Sequence, residues 1–278
     1  MKKILFFFVF LYSCDEAEPN SNKIDPTIEI PDGWSLLWND EFSDDVIDRT
    51  KWTYDIGGGG WGNNELQYYT DDEENAFLKN GALYIAAKFH PAGIGDNNNI
   101  RYYSSSRMKT LNRGDWKYVR IDVRAKLAIG QGIWPAIWML PSEWKYGGWP
   151  NSGEIDIMEH VGHTEGTVYG TVHTGLYNHL NGTDVGGSTN LDSVNNKFHT
   201  YSIEWSEEKI DFFVDEKNYF TFKNDQKGIS RTWPFNENFH LIMNVAVGGN
   251  WPGSPDNTTI FPQHLVVDYV RVFERDVK

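Results

Sequence analysis

Residues 147–162 read GGWPNSGEIDIMEHVG and hold three carboxylates, Glu154, Asp156 and Glu159, among residues that suit a buried strand. Strand side chains alternate between faces, so Glu154 and Asp156 share one face while regular alternation sends Glu159 to the other. One extra residue bulged between Ile157 and Glu159 resets the pattern and returns Glu159 to the face of the other two. The bulge disrupts the ladder and the acids repel one another, so a merely structural strand gains nothing from the arrangement. Cleavage of a glycosidic bond does gain, because it needs one ionised carboxylate and one protonated acid beside the anomeric carbon. Crowding supplies that difference by raising the pKa of one member. The competing readings are a calcium cluster and a solvated acidic strand. Calcium, however, favours loops with backbone carbonyls over a run of Ile and Met.

The elements around this stretch have period two. In YVRIDVRAKL, Val119, Ile121, Val123, Ala125 and Leu127 form one face, and Tyr118, Arg120, Asp122, Arg124 and Lys126 the other. ALYIAAKF, GTVYGTVHTG, HTYSIEW, KIDFFVD, NYFTFK, FHLIMNVAV and HLVVDYVRVFE are similar runs, and VDEKNY reads as a hairpin turn. Only DDEENAFLKNG suggests a short helical turn. Strands with loops between them predict an all-β antiparallel sandwich or barrel in one domain.

Two loops, DIGGGGWGNNELQYYT and VGGNWPGSPDN, mix Gly, Asn and Trp. No Lys-Ser/Thr pair or helix follows the glycines, so they are not a phosphate cradle. Glycine lets backbone approach a ligand closely, while indole faces and amides suit the rings and hydroxyls of sugars. The chain has 278 residues, 12 Trp and a formal net charge of −14, which excludes a phosphate-gripping surface and disfavours strongly anionic polymers.

The N-terminus reads MKKILFFFVFLYSC. Lys2 and Lys3 precede an apolar run too short to span a bilayer, as in a signal peptide over residues 1–13. LYSC resembles a bacterial lipobox, which makes Cys14, the single cysteine, a lipidation site with no disulfide to serve. Residues 14–31 then form an acidic, polar tether and residues 32–278 the catalytic domain. This implies an exported bacterial lipoprotein of the cell envelope, at the outer membrane or cell surface.

GEIDIMEH resembles the catalytic signature of glycoside hydrolase family 16 in its bulged form, Glu-x-Asp-x-x-Glu. WNDEF, GGGGWGNNELQYYT, SRMKT, WPAIWMLP, FHTYSIEWS, NVAVGGNWPG and VDYVRVF are similar to their counterparts in the bacterial laminarinases of that family, in order from about residue 34 to 274. The resemblance implies a β-jelly roll of two antiparallel sheets with a concave cleft. It assigns Glu154 as nucleophile, Glu159 as general acid/base and Asp156 as the residue tuning their charge, in a retaining reaction with carboxyls about 5–5.5 Å apart. His173 is placed in the cleft near the acids and Arg107 on sugar hydroxyls, whereas His160 is expected to be structural. Trp138, Trp149 and Trp251 are expected to stack on glucose rings and Trp134 to lie in the core. Asn63 and Glu65 edge the cleft, with Tyr68 and Tyr69 ambiguous. A structural calcium far from the chemistry would use Glu41, the carbonyl of Gly81 and Asp268; catalysis needs no cofactor.

The implied function is hydrolysis of internal β-1,3 bonds in laminarin-type or mixed-linkage β-1,3-1,4 glucans. The expected partner is the polysaccharide alone, met by a monomer, with no nucleic acid and with membrane contact only through lipid on Cys14. The alternatives are a family hydrolase of galactans, of agarase, porphyranase or carrageenase type, and a non-catalytic surface glycan-binding lipoprotein. Sites for sulfated galactans tend to carry extra basic residues, of which these motifs offer few, and a non-catalytic binder would lack an acid, whereas all three are present.

Overall fold

A computed structural model describes residues 28–95 and 99–276. The leader, Cys14 and most of the tether lie outside the described residues. Ile28, assigned to the tether, is buried, so packing begins just before the expected start of the domain.

Numbered along the chain, the strands form two layers. The 10-stranded sheet runs β16 (Lys217–Lys223), β15 (Lys209–Val214), β14 (His199–Trp205), β9 (Val119–Lys126), β18 (Gln263–Arg275), β5 (Ala82–Ile94), β6 (Arg101–Ser105) and β3 (Gln67–Tyr69). There β1 (Trp34–Asp40) also pairs with β18, and β4 (Ala76–Lys79) with β5. The 8-stranded sheet runs β13 (Val185–Asn190), β12 (Thr167–His173), β11 (Glu154–Glu159), β10 (Ile133–Pro141), β17 (Phe239–Val247), β7 (Arg107–Lys109) and β2 (Thr53–Tyr54), with β8 (Asp115–Trp116) on β17. Among the described residues helix is confined to the 3₁₀ turns Gly162–Thr164 and His179–Asn181. This is the predicted all-β jelly-roll sandwich.

The period-two faces define the core. Val119, Ile121, Val123 and Ala125 of β9 meet Ile137 and Met139 of β10 and Leu241, Met243 and Val245 of β17 in one apolar cluster. The opposite face of β9 is also covered, because Arg120 makes two bonds to Asp122, at 2.9 and 3.1 Å, and pairs with Glu204 and Glu216. Asp215 and Glu216 both adopt positive φ, forming the β15–β16 hairpin turn expected of VDEKNY. The expected helical turn in DDEENAFLKNG is a single hydrogen-bonded turn, in which the N–H groups of Asn75 and Ala76 donate to the Asp72 carbonyl at 2.9 and 3.1 Å. The apolar end of the segment is β4, and Asn80 and Gly81, both at positive φ, turn the chain tightly into β5. An Asn-Gly turn is a stronger local signal than the acidic run before it.

Strand β11 contains the bulge. Glu154, Ile155 and Asp156 pair in register with His173, Val172 and Thr171, but Glu159 faces Tyr169, so Ile157 and Met158 together oppose Gly170. The ladder to β10 also slips, between Ile137 and Trp138. Ile155, Ile157 and Met158 are all fully buried. Each such apolar side chain contributes about 1.5–3 kcal/mol of burial, whereas unbroken alternation would push the Glu159 carboxylate inside at a cost of several kcal/mol. Two consecutive inward apolar residues therefore fix the slip.

Gly170 closes this region from the interior side. A Cβ there would meet Phe212 Cδ1 at 2.8 Å and the Tyr219 hydroxyl closer still. Gly170→Ala is expected to cost about 1–3 kcal/mol, typical of overpacking. Thermal unfolding should show a melting point several degrees lower, and an unchanged melt would mean the sheets are not this closely apposed.

Candidate active site

The outer face of the 8-stranded sheet is the floor of the site. Along β10, Ile133, Ile137 and Met139 point into the core while Trp134, Ala136 and Trp138 line a hollow with all three acids, Asn244 and Ala246. The hollow opens into a groove of about 450 Å³ bounded by Trp61, Asn63, Arg107, Trp138, Trp144 and Trp149. The bulge thus places Glu154, Asp156 and Glu159 on one surface.

Each outer acid is held by an indole. Trp149 Nε1 donates to Glu154 Oε2 at 2.7 Å, and Trp134 Nε1 donates to Glu159 Oε1 at 3.1 Å. His173, directly across the ladder from Glu154, puts Nε2 3.3 Å from Asp156 Oδ2 and 3.8 Å from Glu154 Oε1. Burial, then the neighbouring Asp156, push Glu154 up to about 8. Burial, followed by repulsion from Glu154, pushes Glu159 up to about 7, with His173 and the Trp134 N–H opposing. Asp156 is raised well above the carboxylate range by burial and by Glu159. The cluster therefore gives up its first proton only at about 7 and titrates as one group, so near neutrality it carries a single shared charge. These values let Glu159 ionise before Glu154; the form charged on Glu154, which the shorter indole bond and His173 support, holds the same number of protons and is reached by a proton shift within the cluster.

Behind the floor, a hydrogen-bond chain fixes Trp138. Its Nε1 donates to Asn244 Oδ1 at 2.7 Å, and Asn244 Nδ2 donates to the Tyr69 hydroxyl at 3.0 Å. Tyr69 donates to Glu65 Oε2 at 3.3 Å, and Gln67 Nε2 donates to the same oxygen at 2.6 Å. Gln67 Oε1 in turn accepts the backbone N–H of Val247 at 2.8 Å. Trp138 also lies beneath Arg107, whose guanidinium sits 4.7 Å from its ring and 4.9 Å from that of Trp61. Asp55 pairs with Arg107 Nε at 3.0 Å.

Most of the expected residues converge. Trp138, Trp149, Arg107 and Asn63 line the groove, and Glu65 lines the hollow beside the acids, so both sides of the expected cleft are present. Trp251 lies past Glu159, edge-on to Trp134 and Tyr169, and is 40% exposed. Its loop is tied to the other glycine-rich loop by Asn64 Nδ2 donating to Asn250 Oδ1 at 2.8 Å. Glu65 is buried and faces Tyr69 and Gln67, so its role is to fix Trp138. His160 is buried and accepts the Gly166 N–H, as a structural residue should.

Trp134 corrects an expectation: it is half-buried on the cleft face and binds Glu159. Its spacing of four from Trp138, an even number on a strand, was the signal for a shared face. Asn244, Trp61 and Asp55 were not singled out. Asn244 could have been found as the lone amide in FHLIMNVAV, in phase with Ala246.

The positions proposed for calcium have other partners. Arg271 donates to both oxygens of Glu41, at 3.0 and 2.9 Å, and Arg124 pairs with Asp268. The two carboxylates are thus already neutralised and do not form an open oxygen cage. β1 and β18 also join the two ends of the domain directly. Elsewhere, Glu154, Asp156 and His173 bring ligand-type atoms within 4.8 Å of one another, a grouping that belongs to the acid cluster itself.

Residues 62–271 match the family described as glycosyl hydrolases family 16. A β-glucanase from Rhodothermus marinus is 49% identical over 249 residues, covering 86% of this chain and 85% of the relative. The X-ray structure of the laminarinase from Rhodothermus marinus aligns with a TM-score of 0.82 at 47% identity, covering 88% of this chain and 98% of that one. A crystal structure of a non-specific endo-β-1,3(4)-glucanase aligns with a TM-score of 0.82 at 41% identity, covering 90% and 94% of the two chains. With the family match spanning most of the domain and a relative this similar over the same region, the chain belongs to glycosyl hydrolase family 16.

Proposed function

We propose that this chain is a retaining endo-β-1,3-glucanase that cuts laminarin-type glucans by double displacement. The observation carrying this reading is the bulged strand, which sets three acids on the floor of a tryptophan-lined groove. The linkage follows from the names of the relatives. Cleavage of mixed β-1,3-1,4 chains is supported by the likeness to a non-specific endo-β-1,3(4)-glucanase. A sulfated galactan fits less well, because among the described residues the one cation lining the groove, Arg107, is committed to Asp55 and two indoles.

In the first step the Glu154 carboxylate attacks the anomeric carbon while Glu159 gives its proton to the departing glycosidic oxygen. This leaves an ester between Glu154 and the sugar. In the second step Glu159, now ionised, takes a proton from water, and the water oxygen displaces Glu154 from the opposite face. Asp156, held protonated, adds no third charge beside the forming ester. Trp149 and Trp134 hold the two working carboxyls in place, and Trp138 offers a fixed face for a sugar ring.

The polymer is met by a monomeric domain, and the protein is an exported lipoprotein anchored through Cys14. The charged, apolar and lipobox-like segments of the leader support this reading. Cys14→Ser should move the protein from the membrane fraction to the soluble fraction of an expressing bacterium; a variant still retained in membranes would refute the anchor. Calcium is not included, since Glu41 and Asp268 are already paired with arginines.

The roles of the acids can be separated by azide rescue. With Glu154→Ala, azide should replace the nucleophile and give an α-glycosyl azide; with Glu159→Ala it should replace the activated water and give the β-anomer. Loss of Glu159 should cost roughly 10²–10⁴-fold on laminarin and little on activated aryl glycosides. The same anomer from both variants would overturn the assignment. The working form needs a proton on Glu159 and a charge on Glu154. With the two glutamates at about 7 and about 8, the singly charged pair forms as the pH rises through about 7 and is lost above about 8, so the rate should rise and then fall across that interval, and Glu159→Gln should lose the falling limb on an aryl substrate.

A further inference from the structure

The segment between β10 and β11 has two sides. Trp144 and Trp149 line the catalytic groove, while Tyr146 lines a second hollow of about 360 Å³ together with Tyr118 and Trp233. We propose that this second hollow is a separate binding site for a neutral glucan chain, outside the catalytic groove.

Its chemistry suits a sugar. Tyr118 and Tyr146 are half-buried and present ring area, with Gln226, Ser230 and Asn236 supplying amide and hydroxyl groups beside them. Among the described residues Glu207 is the only charged residue in its lining, with Lys117 and Lys145 lying 5.3 and 5.5 Å from the rings of Tyr118 and Tyr146, and a carboxylate can accept from two neighbouring hydroxyls of a hexose. Trp233 is only 6% exposed, and its Nε1 has no hydrogen-bond partner among the described residues. Its indole therefore forms an apolar back wall of the hollow. Phe222 stacks on the indole at 5.7 Å and holds it rigid.

The backbone is also set for this purpose. Tyr118 has φ +58°, an uncommon conformation for a bulky residue, and it packs edge-on to Trp205 at 5.6 Å. Tyr146 is fixed by donating to Asn236 Oδ1 at 2.9 Å and to Glu237 Oε1 at 3.2 Å. Lys145 pairs with the same glutamate. One pinned segment therefore contributes a wall to each site, and a polymer held in the second hollow is kept beside the groove. Linking two contacts on one chain raises avidity through effective concentration, without any new catalytic contact.

That the ligand is a β-glucan rests on the function proposed above. The test uses the full chain carrying Glu154→Ala, titrated calorimetrically with a laminarin-derived oligosaccharide. Two classes of site are expected. Adding Tyr118→Ala should weaken the weaker class at least fivefold, about 1 kcal/mol, and leave the tighter class unchanged. Gln226→Ala, at an exposed side chain whose loss leaves packing intact, should weaken the same class about threefold. A single class of site in the parent, or equal weakening of both classes in either variant, would overturn the proposal. Laminarin hydrolysis by the wild-type chain is measured separately, so an inactive enzyme with two sites and an active one with one site count against different claims.

Discussion

The site depends on the inward packing of two consecutive apolar side chains, Ile157 and Met158. Neither touches a substrate. Burying both fixes the slip in the ladders of β11, and the slip is what turns Glu159 outward beside Glu154 and Asp156. The hydrophobic effect, which has no direction of its own, here sets the aim of a carboxyl group. Gly170 matters for the same reason, because β12 must lie close to the opposite sheet where the bulge faces it.

The arrangement trades stability for chemistry. Three carboxyls in one half-closed hollow resist ionisation, and Glu154 and Glu159 are raised to about 8 and about 7. Groups raised in this way favour the fold most below their ordinary pKa, near 4.5, and that contribution fades as pH climbs toward 7 or 8. The same shift keeps a proton available for a leaving group at neutral pH, where an ordinary glutamate would have lost it. The indoles of Trp149 and Trp134 locate the charge without supplying a competing cation.

Much of this was legible in the sequence because strands carry a simple code. Period two marked β9 and β17, VDEKNY marked the hairpin at Asp215 and Glu216, and the odd spacing between Asp156 and Glu159 required a bulge. What escaped notice depended on partners remote in sequence. Trp134 looks like a core residue until β11 is placed next to β10 with Glu159 facing outward. Asn244 becomes informative only once Tyr69 and Trp138 sit on either side of it. Glu65 lines the hollow as expected, but its bonds to Gln67 and Tyr69 appear only once those strands are placed behind the floor. Glu41 and Asp268 looked like cation ligands; the cations beside them are Arg271 and Arg124.

The central claim is that Glu154 forms the covalent bond while Glu159 moves the proton. A laminaribiosyl donor with an activated leaving group and fluorine at C2 slows breakdown of the intermediate, and the labelled peptide can be located by mass spectrometry. The account predicts one sugar adduct per chain, on Glu154. An adduct on Glu159, or turnover of laminarin with inversion at the anomeric carbon, would contradict it.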